Sequence, residues 1–234
     1  MLQSQPVRKE GTKAVRPHDA ATIIIWRKTA SHAEVLMGER SRDHKFLPHR
    51  YVFPGGRVDT SDNRVRTATE LSVAVMAQLR RTTRRGRAKS IAIAAIRETF
   101  EETGLIIGGE DPLPHRPAPK GWERFFSAGY APALDRLEYI ARAITPVFRP
   151  IRFDARFFMV HADYVVGDLR GSGELENLEW IPIQQTQAFE LAIVTRNVLS
   201  YAEGIIAAPI SQSPRRKIPY FKHLTGGRHQ KIMQ

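Results

Sequence analysis

Arg97-Glu98-Thr99-Phe100-Glu101-Glu102-Thr103-Gly104 is the stretch whose reading decides the fold. Glu98, Glu101 and Glu102 stand at i, i+3 and i+4, so on a helix the three carboxylates share one face. Ile93, Ile96 and Phe100 lie on the opposite side, and Gly104 is a natural stop. Like charges at this spacing cost a few tenths of a kcal/mol each, more when desolvated. Arg97 reaches Glu101 one turn on, but one guanidinium leaves about two charges uncompensated. A hard divalent cation, Mg²⁺ or Mn²⁺, fits the remainder, because Mg²⁺ favours a few carboxylates and keeps waters for a phosphate group.

Working outward, Pro54-Gly55-Gly56 is a strong breaker that lets backbone approach a ligand or a helix closely. Ala21–Arg27 and Ala33–Arg40 read as strands, and Thr29–His32 between them as a hairpin connection. Residues 67–82 suit a helix through Leu71, Val75 and Leu79, and Ala88–Thr103 a second. Pro112–Pro119 is a loop. Residues 121–144 carry helical spacing through Leu134, Leu137, Ile140 and Ile144. Ala155–Val166 and Leu178–Ile183 read as strands, and Gln184–Glu203 as a last helix. There is no internal repeat, and strands interleaved with helices indicate a layered α/β fold.

The 234 residues, 42% hydrophobic and 26% charged, describe a globular chain that can bury a full core. No apolar run is long enough for a membrane helix, and the first twenty residues lack the hydrophobic stretch of a signal peptide. Without cysteine there is no disulfide framework and no thiolate nucleophile. The expected location is the cytoplasm. The net charge of +12 is local: residues 80–89 hold six basic side chains and no acid, residues 211–234 hold another six and no acid, and the rest is neutral. Both segments read first as solvated surface, and second as attractors of anionic ligands or of nucleic acid.

The acidic helix and the glycine pair together resemble the Nudix hydrolases, whose box reads G-x5-E-x7-R-E-U-x-E-E-x-G-U, with U aliphatic. Arg97, Glu98, Glu101, Glu102, Gly104 and Leu105 match its second half, with Thr99 in place of an aliphatic residue; Gly56 begins the first half. An insertion of roughly 26 or 27 residues splits the box, and Asp59 and Asp62 are the candidates for its first acid. A split box resembles the coenzyme A-type branch, as do Val35–Arg40 with Ser41, Phe46-Leu47-Pro48, Tyr51–Gly56, Thr145-Pro146 with 152–158, and Glu174 with Glu179-Trp180-Ile181-Pro182. His49 stands where that signature has glycine. The resemblance implies a Nudix-type α/β/α sandwich with a mixed central sheet, plus a helical insertion and an extra helical segment. The domain would span 20–207, with the insertion at about 63–90, between a loose arm at 1–19 and a basic tail at 208–234.

It further implies metal-dependent hydrolysis of a nucleoside diphosphate linked to another moiety, with coenzyme A or acyl-CoA favoured. ADP-ribose, NADH, dinucleoside polyphosphates and capped RNA are alternatives, as is a non-catalytic nucleotide-binding module. The metal would sit on Glu98, Glu101 and Glu102, and the catalytic set would be Glu98, Glu101 and Glu174, with Glu98 and Glu174 competing as base. Gly55, Gly56, Arg97 and Gly104 would orient the site; Arg40, Arg152, Arg156 and Glu176 would meet the substrate. For Arg152 and Arg156 an ion pair with an acid such as Asp154 is the stronger reading. Trp26, Trp122 and Trp180 read as packing, and His44, His49, His161 and His223 show no ligand spacing. Expected partners are a small nucleotide conjugate and a second copy in a homodimer, with nucleic acid less favoured and no membrane.

Overall fold

The computed structural model describes residues 13–41, 49–84, 86–111, 117–209, 213–223 and 229–234. Phe46-Leu47-Pro48 and His44 lie outside the described residues, as does most of the 1–19 arm.

A mixed sheet forms the middle layer. Its strands β1 (His18–Lys28), β2 (Ala33–Arg40), β3 (Tyr51–Val52), β4 (Gly55–Arg57), β7 (Glu138–Ile144), β8 (Phe153–His161), β9 (Leu175–Pro182), β10 (Pro219–His223) and β11 (His229–Met233) run mainly in the order β11-β10-β7-β8-β1-β2-β3. β4 also pairs with β1, and β9 with β2. The β1–β8 and β10–β7 pairs are parallel and the rest antiparallel. A separate ribbon joins β5 (Gly108–Glu110) to β6 (Tyr130–Pro132).

The central strand is apolar on both faces because helices cover both. Ile23 and Ile25 pack with α2 (Arg87–Thr103) and α1 (Val73–Arg80), while Ile24 packs with α4 (Ile193–Ala207) on the other side. Period-two alternation thus sends neighbouring isoleucines into different layers. Each such side chain contributes about 1.5–3 kcal/mol on burial. The result is the expected α/β/α sandwich. Among the described residues no helix is long and apolar enough to cross a membrane.

Helix α2 matches its expected span and ends at Gly104 (φ 74°), whose N–H bonds the carbonyl of Phe100. Other expectations need correction. The 67–82 helix begins only at Val73, because the Ser72 hydroxyl accepts the Val75 N–H and caps it, while Thr69 bridges to Ala133 in extended backbone. The extra helical segment at 121–144 is mostly not helix. It contains α3 (Glu123–Ser127), then β6 and β7, and the apolar run of β7 reflects cover on both faces rather than a helical stripe. Strand β8 stops at His161, whose Nδ1 accepts the Asp163 N–H in a tight turn. The last helix starts at Ile193, after a 3₁₀ turn over Ile183–Ala188. The basic tail is not a tail: β10 and β11 extend the main sheet, and β1 begins inside the expected arm.

Candidate active site

The glycine pair and the acidic helix meet. Gly55 and Gly56 pair with Thr22 and Ala21 across β4 and β1, which presses the turn against α2. The Gly55 N–H donates to Glu102 Oε2 at 2.8 Å. A Cβ at Gly56 would stand 2.4 Å from the Glu98 carboxyl carbon, and one at Gly55 would stand 2.4 Å from the Ala21 carbonyl oxygen. Only residues without side chains permit this approach.

Arg97 ties the turn to the helix. Its guanidinium donates to Asp62 Oδ1 at 2.9 Å, to the Arg57 carbonyl at 2.9 Å and to Glu101 Oε2 at 2.9 Å, and it pairs with Glu98 Oε1 at 2.9 Å. Burial alone would lower its pKa, but Asp62, Glu98 and Glu101 hold it above the ordinary value. Asp62 is fully buried and accepts the Asp59 N–H at 2.8 Å and the Trp122 indole N–H at 3.0 Å besides its bonds to Arg97. Asp59 instead accepts the Ser61 N–H and closes a local turn.

The charges form one group. Burial pushes the Glu102 carboxyl up to about 8, with the Gly55 N–H and Arg40 opposing and Glu98 and Glu174 adding to the rise. Burial pushes Glu98 up to about 7 against the pull of Arg97. Glu101, more exposed, is raised by burial against Arg97, with Asp62 and Glu174 contributing. Burial lowers the Arg40 pKa, and Glu102, Glu174 and Glu98 oppose that fall. Arg40 from β2, Glu98, Glu101 and Glu102 from α2, and Glu174 from the loop before β9 therefore share one field, four carboxylates between the guanidiniums of Arg40 and Arg97. Among the described residues no three Asp, Glu or His side chains are gathered closely enough to hold a metal.

No protein-family model matches the chain. It is 27% identical over 172 residues, 69% of its length, to a Caenorhabditis elegans protein named "Putative nudix hydrolase 7", and spans 50% of that relative. A crystal structure of a NUDIX hydrolase from Alicyclobacillus acidocaldarius superimposes with a TM-score of 0.63 at 27% identity, covering 81% of this chain and 92% of the other. The chain has the Nudix fold. Sequence and structure likeness together support a place in the Nudix hydrolase superfamily.

The segment 63–90, between the glycine turn and the acidic residues, leaves Gly55-Gly56 and α2 in contact. It leaves by way of Asp62 and returns along α2, burying Leu71, Val75 and Leu79 in the core on the way. Asp62, six residues after Gly56, bonds Arg97, whereas Asp59 makes no hydrogen bond to it among the described contacts and meets it only electrostatically. Glu174 is exposed, with its carbonyl accepting the Ser41 N–H at 3.3 Å. The preceding loop docks on the helix end through the Arg170 N–H to the Thr103 carbonyl, 2.7 Å.

Arg152 and Arg156 are both engaged within the protein, and Arg156 makes the ion pair with Asp154 that is its stronger reading. Arg156 is 1% exposed and bonds Asp19, the Asp154 carbonyl and the Thr82 carbonyl; Arg152 is buried on the carbonyls of Thr145 and Val15. Both guanidiniums are engaged in holding strand ends together. Glu176 is exposed on β9 opposite Glu39 and is absent from the charge group around Glu102. Trp122 does pack, as expected, at 0% exposure, but its indole also holds Asp62, which no local sequence signal announced. The neighbouring Gly121 (φ 85°) lies so close that a Cβ would be 3.3 Å from Glu101 Oε1.

Proposed function

We propose that this chain is a metal-dependent Nudix hydrolase that cleaves the pyrophosphate bond of a nucleoside diphosphate linked to a second moiety, with coenzyme A or acyl-CoA as substrate. The observation that carries the reading is the closure of Gly55-Gly56 onto Glu98 and Glu102 across an interrupted box. The donor set fits Mg²⁺ or Mn²⁺. Glu102 is 3% exposed and the Glu98 side chain 14%, both partly or wholly desolvated carboxylates whose protons a divalent cation would displace.

Glu98 and Glu102 would hold the cation, with Glu101 joining from the same turn of α2. A bound divalent cation would supply charge to neutralise the pyrophosphate and to acidify the attacking water. Arg97, anchored by Asp62, keeps Glu98 and Glu101 oriented toward the glycine turn. Arg40 supplies a fixed positive charge for a phosphate oxygen. Glu174, presented from the loop across α2, takes the water's proton as general base, with Glu98 the competing group. The coenzyme A assignment draws support from His49, whose φ of 57° keeps the left-handed backbone that glycine would supply in the resembling signature.

The test is a hydrolysis screen of coenzyme A, acyl-CoA, NADH, ADP-ribose, dinucleoside polyphosphate and capped RNA, with and without Mg²⁺. Expected products from coenzyme A are 3′,5′-ADP and a phosphopantetheine, and Glu102→Gln abolishes turnover while the fold survives. Cleavage of ADP-ribose but not coenzyme A overturns the substrate. No cleavage of any of them, or full activity in Glu102→Gln, overturns the reaction.

A further inference from the structure

The two basic segments, well over a hundred residues apart in sequence, are fastened together. Arg81 donates one guanidinium nitrogen to the Pro214 carbonyl at 2.6 Å and another to the carbonyl of Arg216. Gln78, 1% exposed, donates to the Ser213 carbonyl at 2.9 Å. These bonds lay residues 213–217 along the end of α1. Arg80, Arg81 and Arg84 are exposed from one segment, and Arg215 and Lys217 from the other. Among the described residues none of these five forms an ion pair. The other described basic groups at 80–89 are neutralised, Arg87 by Asp19 and Lys89 by Glu70. Arg216, between them, is half-buried, and burial together with nearby Arg81 lowers its pKa against the opposing influence of Tyr201 and Glu138. Gathering like charges is unfavourable unless an anion offsets them.

The geometry points to a docking surface for the sugar–phosphate backbone of a single nucleic-acid strand, separate from the pyrophosphate site. Four of the five exposed cations are arginines; the forked donors of Arg80, Arg84 and Arg215 match phosphate oxygens, while those of Arg81 hold the 213–217 segment in place. Neither 80–89 nor 213–217 shows an exposed large apolar side chain among the described residues, as a surface entering lipid would need. Neither 80–89 nor 213–217 holds an aromatic residue on which a base could stack, so the contact is to backbone and indifferent to sequence. Arg87, at the start of α2, lies eleven residues before Glu98, about 16 Å along a helix axis. The surface is thus at the far end of α2 from the glutamates.

The experiment is fluorescence anisotropy with labelled mixed-sequence RNA and DNA 20-mers in EDTA, which removes any hydrolysis, over a series of salt concentrations. Five phosphate contacts predict log K falling against log salt with a slope of about −3.5 for single strands. The variant Arg84→Gln, Arg215→Gln, Lys217→Gln is expected to lose about 2 units of that slope and to bind at least tenfold more weakly at low salt. Its hydrolysis of small substrates stays unchanged, which separates this surface from the catalytic reading. No oligonucleotide binding, or an unchanged slope in the triple variant, overturns the proposal. Sedimentation with phosphatidylserine vesicles in the absence of oligonucleotide binding assigns the surface to lipid and overturns it equally.

Discussion

Replacing Asp62 with asparagine should damage the protein more than any other single change in the site. Asp62 is fully buried and receives the Asp59 N–H, the Trp122 indole and two Arg97 nitrogens, at 2.9 and 3.3 Å. The amide keeps the shape but removes the charge, so the Arg97 side chain, 9% exposed, loses its buried counterion. One amide edge also presents N–H groups to donors. Breaking a buried pair on one side typically costs about 3–5 kcal/mol. For a chain of this size that is roughly 6–20 °C in melting temperature. Thermal unfolding followed by circular dichroism, at pH 7 and without metal, reads the shift. Because Arg97 also orients Glu98 and Glu101, kcat should fall in folded Asp62→Asn at temperatures well below its transition. A melting temperature within about 2 °C of the parent would refute the reasoning that Asp62 anchors the box arginine.

Gly56→Ala forces the Glu98 carboxylate aside, since the new Cβ would lie 2.4 Å from its carboxyl carbon. The displaced group is a movable side-chain end, so activity should drop ~100-fold while the melting temperature changes little; an active Gly56→Ala contradicts the placement of Glu98. Gly55→Ala meets backbone instead, at Ala21 and Thr22, and should destabilise the fold as well, which denaturant unfolding would show. Glu98 and Glu102, pushed up to about 7 and about 8, bind protons more tightly folded than unfolded. The stability this gives the metal-free protein is complete below about pH 4.5. It is lost as pH rises through those values, at up to about 1.4 kcal/mol per pH unit per group. Urea midpoints from pH 5 to 9 test this, and saturating Mn²⁺ should flatten the profile. Arg156→Met should lower stability and leave KM unchanged in steady-state assays, because its guanidinium serves Asp19, Asp154 and Thr82 rather than substrate.

The parts of the fold legible in the sequence were those set by short-range rules. Helix α2 carries its own period and its own Gly104 stop, and the β-branched run Ile23 to Ile25 announces a strand. The site's helix face followed from residue spacing alone, and the glycine turn from the missing side chains. What stayed hidden depended on contacts between distant segments. Ile140 reads as a helical position until β8 and β10 are seen to flank β7. The choice between Asp59 and Asp62 required knowing which carboxylate faces Arg97, and Trp122 reaches that cluster from a separate loop. Arg152 and Arg156 share their composition with phosphate-binding arginines; only the carbonyls and acids around them reveal a structural role.

Equilibrium Mn²⁺ binding, read from the free-ion electron paramagnetic resonance signal, tests the account most directly. The parent protein should bind the ion with defined stoichiometry near neutral pH, and Glu102→Gln should weaken that binding at least tenfold while its circular dichroism spectrum stays that of the parent. Undiminished Mn²⁺ affinity in folded Glu102→Gln would contradict the claim that the glutamates of α2, closed against Gly55 and Gly56, form the metal site.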